Sequence, residues 1–314
     1  MTAAERRGPS PAVGAFRLGR MAATGLPSPL ARGVAESAAV ALSRRPLSRA
    51  WDDRRRMLAR HLTRVLGDLA PPMGSRRMAR LVDRAVASYA RYWAESLRLP
   101  GMTPAQLTAG MRYDGFENIA AGRAAGRGTI LVLPHLGGWE WAGAQLAAVG
   151  HPVSVVVERL EPPALYDWFV AFRRRLGMNV IPAGPGAAAE CVAALRDNHL
   201  LCLLADRLLE GTAGVEVEFF GEKTALPAGP ATLALRTGAA LVPAAVYLGS
   251  RTDDHLGWVL PALDTTRGGR LRDDVGRVTA EVARTFEAYI RREPTQWHLM
   301  QPNWPTDGAG APVE

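Results

Sequence analysis

The stretch L-V-L-P-H-L-G-G-W-E-W, Leu131 to Trp141, decides how this chain is read. An apolar run of strand length stops at Pro134, presents His135, turns through Gly137 and Gly138, and re-enters apolar sequence at Trp139. In an open α/β sheet ligands bind beyond the carboxyl ends of the strands, so His135 stands where such a sheet keeps its chemistry. A neutral imidazole can take a hydroxyl proton near neutral pH. The glycine pair predicts a tight turn whose amides stay exposed as a helix begins, ready to stabilise an oxyanion or hold a phosphate. Glu140 follows His135 by five residues, which in one continuous helix would set the two about 140° apart. They can meet only because the glycine turn intervenes. On pattern alone, a base and a satisfied core histidine both stay open as readings of His135.

Outward from this stretch the chain alternates. Gly128 to Leu133, Pro152 to Val157, Met178 to Pro182, Leu200 to Ala205 and Leu241 to Leu248 read as buried strands. Helical segments begin near Trp139, Pro162, Ala187 and Pro227, and a long last helix spans about Asp273 to Arg292. That order predicts an open sheet with helices on both faces, the α/β class, over residues 100–305. Residues 21–99 read as a helical extension. Its clearest segment puts Met78, Leu81, Val82, Val86, Tyr89 and Trp93 on one stripe and Arg77, Arg80, Arg84, Arg91 and Arg98 largely on another. Such a helix can lie on an anionic bilayer or pack on its own domain. Residues 1–20 and 306–314, rich in Pro, Gly and Ala, read as disordered tails.

Charge sharpens this division. Residues 1–100 hold 19 arginines against 7 acidic residues, a net +12, so the remainder carries −4 within the overall +8. The basic character therefore belongs to the extension. Lys223 is the only lysine, a compositional bias that makes single arginines weak signals. No apolar run reaches the roughly 20 residues of a membrane span, and Pro9, Pro11 and Arg17 interrupt any export signal. Cys191 and Cys202 lack metal-ligand spacing and read as buried, reduced thiols.

The motif H-x-x-x-x-E, His135 to Glu140, resembles the H-x-x-x-x-D/E signature of glycerolipid acyltransferases and, more closely, the lipid A secondary acyltransferases with their actinobacterial relatives that acylate phosphatidylinositol mannosides. Further blocks carry the likeness: V-V-E-R-L-E-P (Val156 to Pro162), F-R-R-R-L-G (Phe172 to Gly177) and L-L-A-D-R (Leu203 to Arg207). V-E-F-F-G-E (Val217 to Glu222), L-P-A-G-P-A (Leu226 to Ala231) and W-H-L-M-Q-P-N-W (Trp297 to Trp304) follow in order. Six ordered blocks are far more specific than the short signature.

The resemblance implies a mixed, mostly parallel sheet flanked by helices, like the glycerol-3-phosphate acyltransferases, with an apolar tunnel for an acyl chain. It implies His135 as the base, Asp206 as its acidic partner and Glu140 as an orienting acid. Arg173 then lines the donor site, Glu158 and Arg159 lie beside the acceptor pocket, and Arg207, Arg236, Gly137 and Gly138 complete the substrate-facing set. Asp206 stands where the mannoside enzymes carry a glutamate, and Arg236 where they carry an acid. The implied partners are acyl-CoA as co-substrate, a membrane glycolipid acceptor and an anionic membrane surface on the cytoplasmic side, with no cofactor and no metal.

Two other classes are weaker. A serine hydrolase lacks its G-x-S-x-G elbow, and the remaining histidines show no metal-ligand spacing. A nucleic-acid binder is suggested only by the basic charge, without a recognisable motif or interleaved aromatics, so no nucleic-acid partner is expected.

Overall fold

A computed structural model describes residues 14, 19, 21, 23–45, 49–159, 162–209 and 211–308. The expected N-terminal tail lies outside these residues, apart from Gly14 and Gly19. Helices α1 (Ser28–Ser43), α2 (Arg49–Leu66) and α3 (Arg76–Ser96) form the extension. The rest alternates: α4 (Pro104–Ala109), β1 (Met111–Asp114), α5 (Phe116–Ala124), β2 (Thr129–Leu133), α6 (Trp139–Ala148), β3 (Val153–Val157), α7 (Pro163–Arg175) and β4 (Asn179–Pro182). Then come α8 (Ala187–Arg196), β5 (Leu200–Leu204), the hairpin β6 (Gly214–Phe219) and β7 (Glu222–Pro227), α9 (Gly229–Thr237), β8 (Ala240–Leu248), β9 (His255–Val259) and α10 (Leu271–Arg292).

Seven strands make one sheet in the order β1-β9-β8-β2-β5-β3-β4, parallel throughout except where β8 and β9 pair antiparallel. It is the mixed, mostly parallel α/β sheet that was expected. All five apolar runs became strands. β1 and β9 escaped the sequence reading because M-R-Y-D and H-L-G-W-V show no sustained apolar run. One face buries Ile130, Val132, Leu201 and Leu241 under Val278, Val282 and Phe286 of α10. The other buries Leu131, Leu133 and Val246 beneath Trp141 and Leu146 of α6 and Phe172 of α7. With both faces covered, continuous apolar strands are the pattern the physics requires.

The stripe on α3 turned out to face protein. Met78, Val82 and Val86 are buried with Leu58 and Leu62 of α2, while Tyr89 and Trp93 turn toward the His135 end of the sheet. Arg91 leaves its expected arginine face and is buried, donating Nε to Glu95 at 2.8 Å and bonding the carbonyls of Gly249 and Arg251. The bilayer reading of α3 is thereby corrected. On α1, by contrast, Leu30, Val34 and Leu42 are each more than half exposed, with Leu26 and Met21 exposed just before it. The C-terminal boundary also moves. Asp307 is buried, pairs with Arg64 Nη1 at 2.7 Å, and accepts from the backbone of Asn303 and Trp304, so the packed chain continues through it. Residues 309–314 lie outside the described chain.

Candidate active site

Strands β2 and β5 are neighbours in parallel register, Leu133 opposite Leu204, and the ladder continues with Ala205 N–H on Leu133 O at 2.9 Å. His135 and Asp206 each lie two residues further on. The register alone therefore delivers them to the same side of adjacent strand ends. His135 Nδ1 lies 2.5 Å from Asp206 Oδ1, and the His135 amide donates to Oδ2 at 3.0 Å. With a carboxylate as partner Nδ1 carries the proton, so Nε2 is left as the acceptor. The imidazole is about one-fifth exposed, whereas Asp206 is fully buried. Burial on its own would raise the Asp206 carboxyl, but the charge and N–H groups of His135, with a further N–H from Trp297, hold it below the usual carboxylate range.

Glu140 does not join this pair. Its buried carboxylate is ion-paired with Arg173 of α7, clamping α6 to α7, so of the two acids Asp206 is the one in contact with His135, and Glu140 is placed to hold the loop. The expectation for the glycine amides is corrected. Gly137 N–H donates to Gln296 O at 3.0 Å and Gly138 N–H to Val246 O at 3.2 Å, so neither is available to an oxyanion. The turn still demands glycine: Gly137 has φ +62°, and a Cβ there would sit 1.9 Å from the Val246 carbonyl oxygen.

A groove of about 1450 Å³ opens on His135 and is lined by Tyr89, Trp93, Trp139 and His298, by Arg173, Glu158 and Arg207, and further along by Arg236. Arg207 donates to Glu158 at 2.6 Å and not to Asp206. Arg159 is exposed and does not line the groove. A second, narrow cavity runs between the sheet and α6, walled by Leu131, Leu133, Leu146, Val246 and Val259, and ends against Tyr113 of β1. Trp139, Val156, Arg173 and Leu204 line both spaces, so the cavity adjoins the groove on which His135 opens. Cys202 lies along it. Burial pushes this thiol up to about 12 and that of Cys191 to about 11, which makes neither a nucleophile.

Sequence reasoning missed His298. Its amide donates to His135 O at 2.8 Å, its Nε2 meets Ser88 Oγ at 2.9 Å, and its buried Nδ1 has no hydrogen-bond partner. Burial depresses the ring to about 3, so it stays neutral. The indole N–H of Trp139 is likewise buried without a partner. Two unsatisfied ring nitrogens beside an imidazole are groups that a ligand can satisfy. The W-H-L-M-Q-P-N-W block contained the signal, but no spacing rule connects His298 to His135 across more than 160 residues. Among the described residues no cluster of His, Cys, Asp and Glu could hold a metal ion.

Residues 18–306 match the bacterial lipid A biosynthesis acyltransferase family. The chain is 41% identical over 256 residues to the phosphatidylinositol mannoside acyltransferase of Mycolicibacterium smegmatis, covering 80% of this chain and 79% of that one. It is 40% identical over 258 residues to the protein of the same name from Mycobacterium tuberculosis, covering 80% and 77%. A buried carboxylate behind an open imidazole, an apolar cavity beside it and this breadth of likeness converge: the chain belongs to the bacterial lipid A biosynthesis acyltransferase family.

Proposed function

We propose that the protein transfers a long acyl chain from acyl-CoA to a mannose hydroxyl of a phosphatidylinositol mannoside, with His135 as base. The observation that carries this reading is the Asp206–His135 pair facing a groove that shares Trp139, Val156, Arg173 and Leu204 with an adjoining apolar cavity. His135 Nε2 takes the acceptor hydroxyl proton while that oxygen attacks the thioester carbonyl carbon. The C–O bond forms, the carbonyl becomes an oxyanion, and its collapse breaks the C–S bond. The leaving thiolate then takes the proton from His135. No acyl-enzyme is needed. If Ser88 donates to His298 Nε2, His298 Nδ1 carries a hydrogen, and this neutral ring supplies an N–H to the oxyanion in place of the occupied glycine amides.

The apolar wall of this cavity, contributed by β3, β5, β2, β8, β9 and Tyr113 of β1, supports a long acyl chain as the group transferred, with palmitoyl-CoA as the donor to test first. The exposed Leu30, Val34 and Leu42 on α1, amid a basic extension, support peripheral attachment to an anionic, cytoplasmic membrane face. No described helix is long and apolar enough to cross a bilayer. In place of a metal or cofactor, proton transfer and oxyanion stabilisation suffice for this reaction.

The test is release of CoA from palmitoyl-CoA with phosphatidylinositol mannoside, with lysophospholipid, or without acceptor, for the native chain and His135→Ala. Mannoside-dependent release that His135→Ala abolishes is expected. Release needing no acceptor would make the protein a thioesterase, and equal release from both proteins would remove His135 from catalysis.

A further inference from the structure

Asp206 receives three N–H donors, and His135 supplies only two of them. The third is Trp297 Nε1, 2.7 Å from Oδ2, on the segment that follows α10. We infer that Trp297 is a positioning residue of acyl transfer, held in place by the N-terminal helix α2, and that the extension thereby braces the catalytic pair as well as the membrane contact. This rests on the reading of His135 as base.

The indole N–H does two things that packing would not. It fixes the plane of the carboxylate, so that Oδ1 points at His135 Nδ1 while Oδ2 is shared between the indole and the His135 amide. It also draws charge toward Oδ2, which moderates the pull of Oδ1 on the imidazole proton. Carboxylates that orient a working imidazole depend on such outer partners. The ring itself has little freedom. Residue 297 bridges antiparallel to Leu136, and the pairing continues on either side through Gly137 N–H to Gln296 O and His298 N–H to His135 O. Asn303, from the same segment, donates Nδ2 to the Asp206 carbonyl at 3.0 Å.

The brace comes from the extension. His61 of α2 lies against the Trp297 ring, centroids 5.2 Å apart, and is itself held between Leu299 O at 3.1 Å and Asp307 Oδ2 at 3.4 Å. Arg64, one turn on, pairs with Asp307 and Glu222 and covers the face of Trp304. α2, the C-terminal segment and the catalytic carboxylate thus form one continuous set of contacts.

The test uses the full chain with palmitoyl-CoA and mannoside acceptor, following kcat and KM from acid to alkaline pH. Trp297→Phe keeps an aromatic ring and removes the N–H. The expected result is kcat lower by about tenfold to a hundredfold, with KM for both substrates nearly unchanged. The acid limb of kcat also moves to higher pH, because the unshared carboxylate holds the imidazole proton more tightly. Should Trp297→Phe fold poorly, β-(3-benzothienyl)alanine in place of Trp297 retains the bicyclic shape with sulfur for N–H, and the same shift is expected. His61→Phe, which keeps a ring against the indole, should lower kcat only a few-fold. A native acid limb in the isostere would overturn the assignment, as would a loss of melting temperature without a change in kcat. If His135→Ala retained full turnover, the base reading would fall and the positioning role with it. If His135→Ala is dead and the isostere behaves as native, only the role of Trp297 falls.

Discussion

Asp206 and Glu140 are both buried carboxylates tied to the same eleven-residue motif neighbourhood, and the difference between them lies in their partners. Asp206 faces an imidazole, a ring that holds a proton on one nitrogen and offers the other to the groove. Glu140 faces a guanidinium, which never gives up its proton near neutral pH and has only donors to present. The first pair remains open to a substrate hydroxyl. The second is closed and serves to hold α6 against α7. Place within a signature therefore does not assign a role; the chemistry of the residue across the contact does.

The largest expected effect breaks the open pair. His135→Ala, or Asp206→Asn with its wrong tautomer, should lower kcat by about 10³- to 10⁴-fold while the fold persists by circular dichroism. An Asn variant keeping a tenth of native turnover would dissolve the contrast. Next, Glu140→Gln leaves Arg173 buried without a counter-charge and should lower stability by about 3 kcal/mol, read as a drop in denaturation midpoint, with kcat within tenfold of native. Replacing both as Glu140→Leu with Arg173→Leu should recover much of that stability. A Glu140→Gln protein that melts normally yet is inactive would make Glu140 catalytic after all.

Acid sharpens the same contrast. Because the folded Asp206 carboxyl titrates below its unfolded value, native protein binds fewer protons there than unfolded chain. The stabilisation is thus complete above an ordinary carboxylate pKa of about 3.9 and is lost as pH falls through the lowered folded value. The stability gap between native protein and Asp206→Asn should narrow below about pH 4 in urea titrations; a gap constant with pH would contradict the pairing. The smallest effect belongs to Glu158–Arg207, where the carboxylate side chain is 40% exposed. Glu158→Gln should cost less than about 1 kcal/mol and shift turnover only a few-fold.

How much was legible divides along physical lines. The parallel strands declared themselves because burial on both faces demands unbroken apolar runs, and His135 at a strand end followed from the same logic. Asp206 came from the likeness to known acyltransferases, since no local pattern links two strand ends that meet only through register. The amides of Gly137 and Gly138 were misjudged because their acceptors, Val246 and Gln296, arrive from elements about 110 and 160 residues away. The stripe on α3 was real, but amphipathicity reports that a helix buries one face and is silent on what lies against it. His298 became visible only once an unpartnered buried nitrogen could be located.

The register between β2 and β5 also limits how such a protein can diverge. Side chains along a strand alternate sides, so one residue inserted between Thr129 and His135, or between Leu200 and Asp206, would turn one member of the pair through the sheet. Beyond His135 and Asp206 no such parity applies. Length variation can accumulate in the segments outside these spans, while within the two strands the count of residues is fixed.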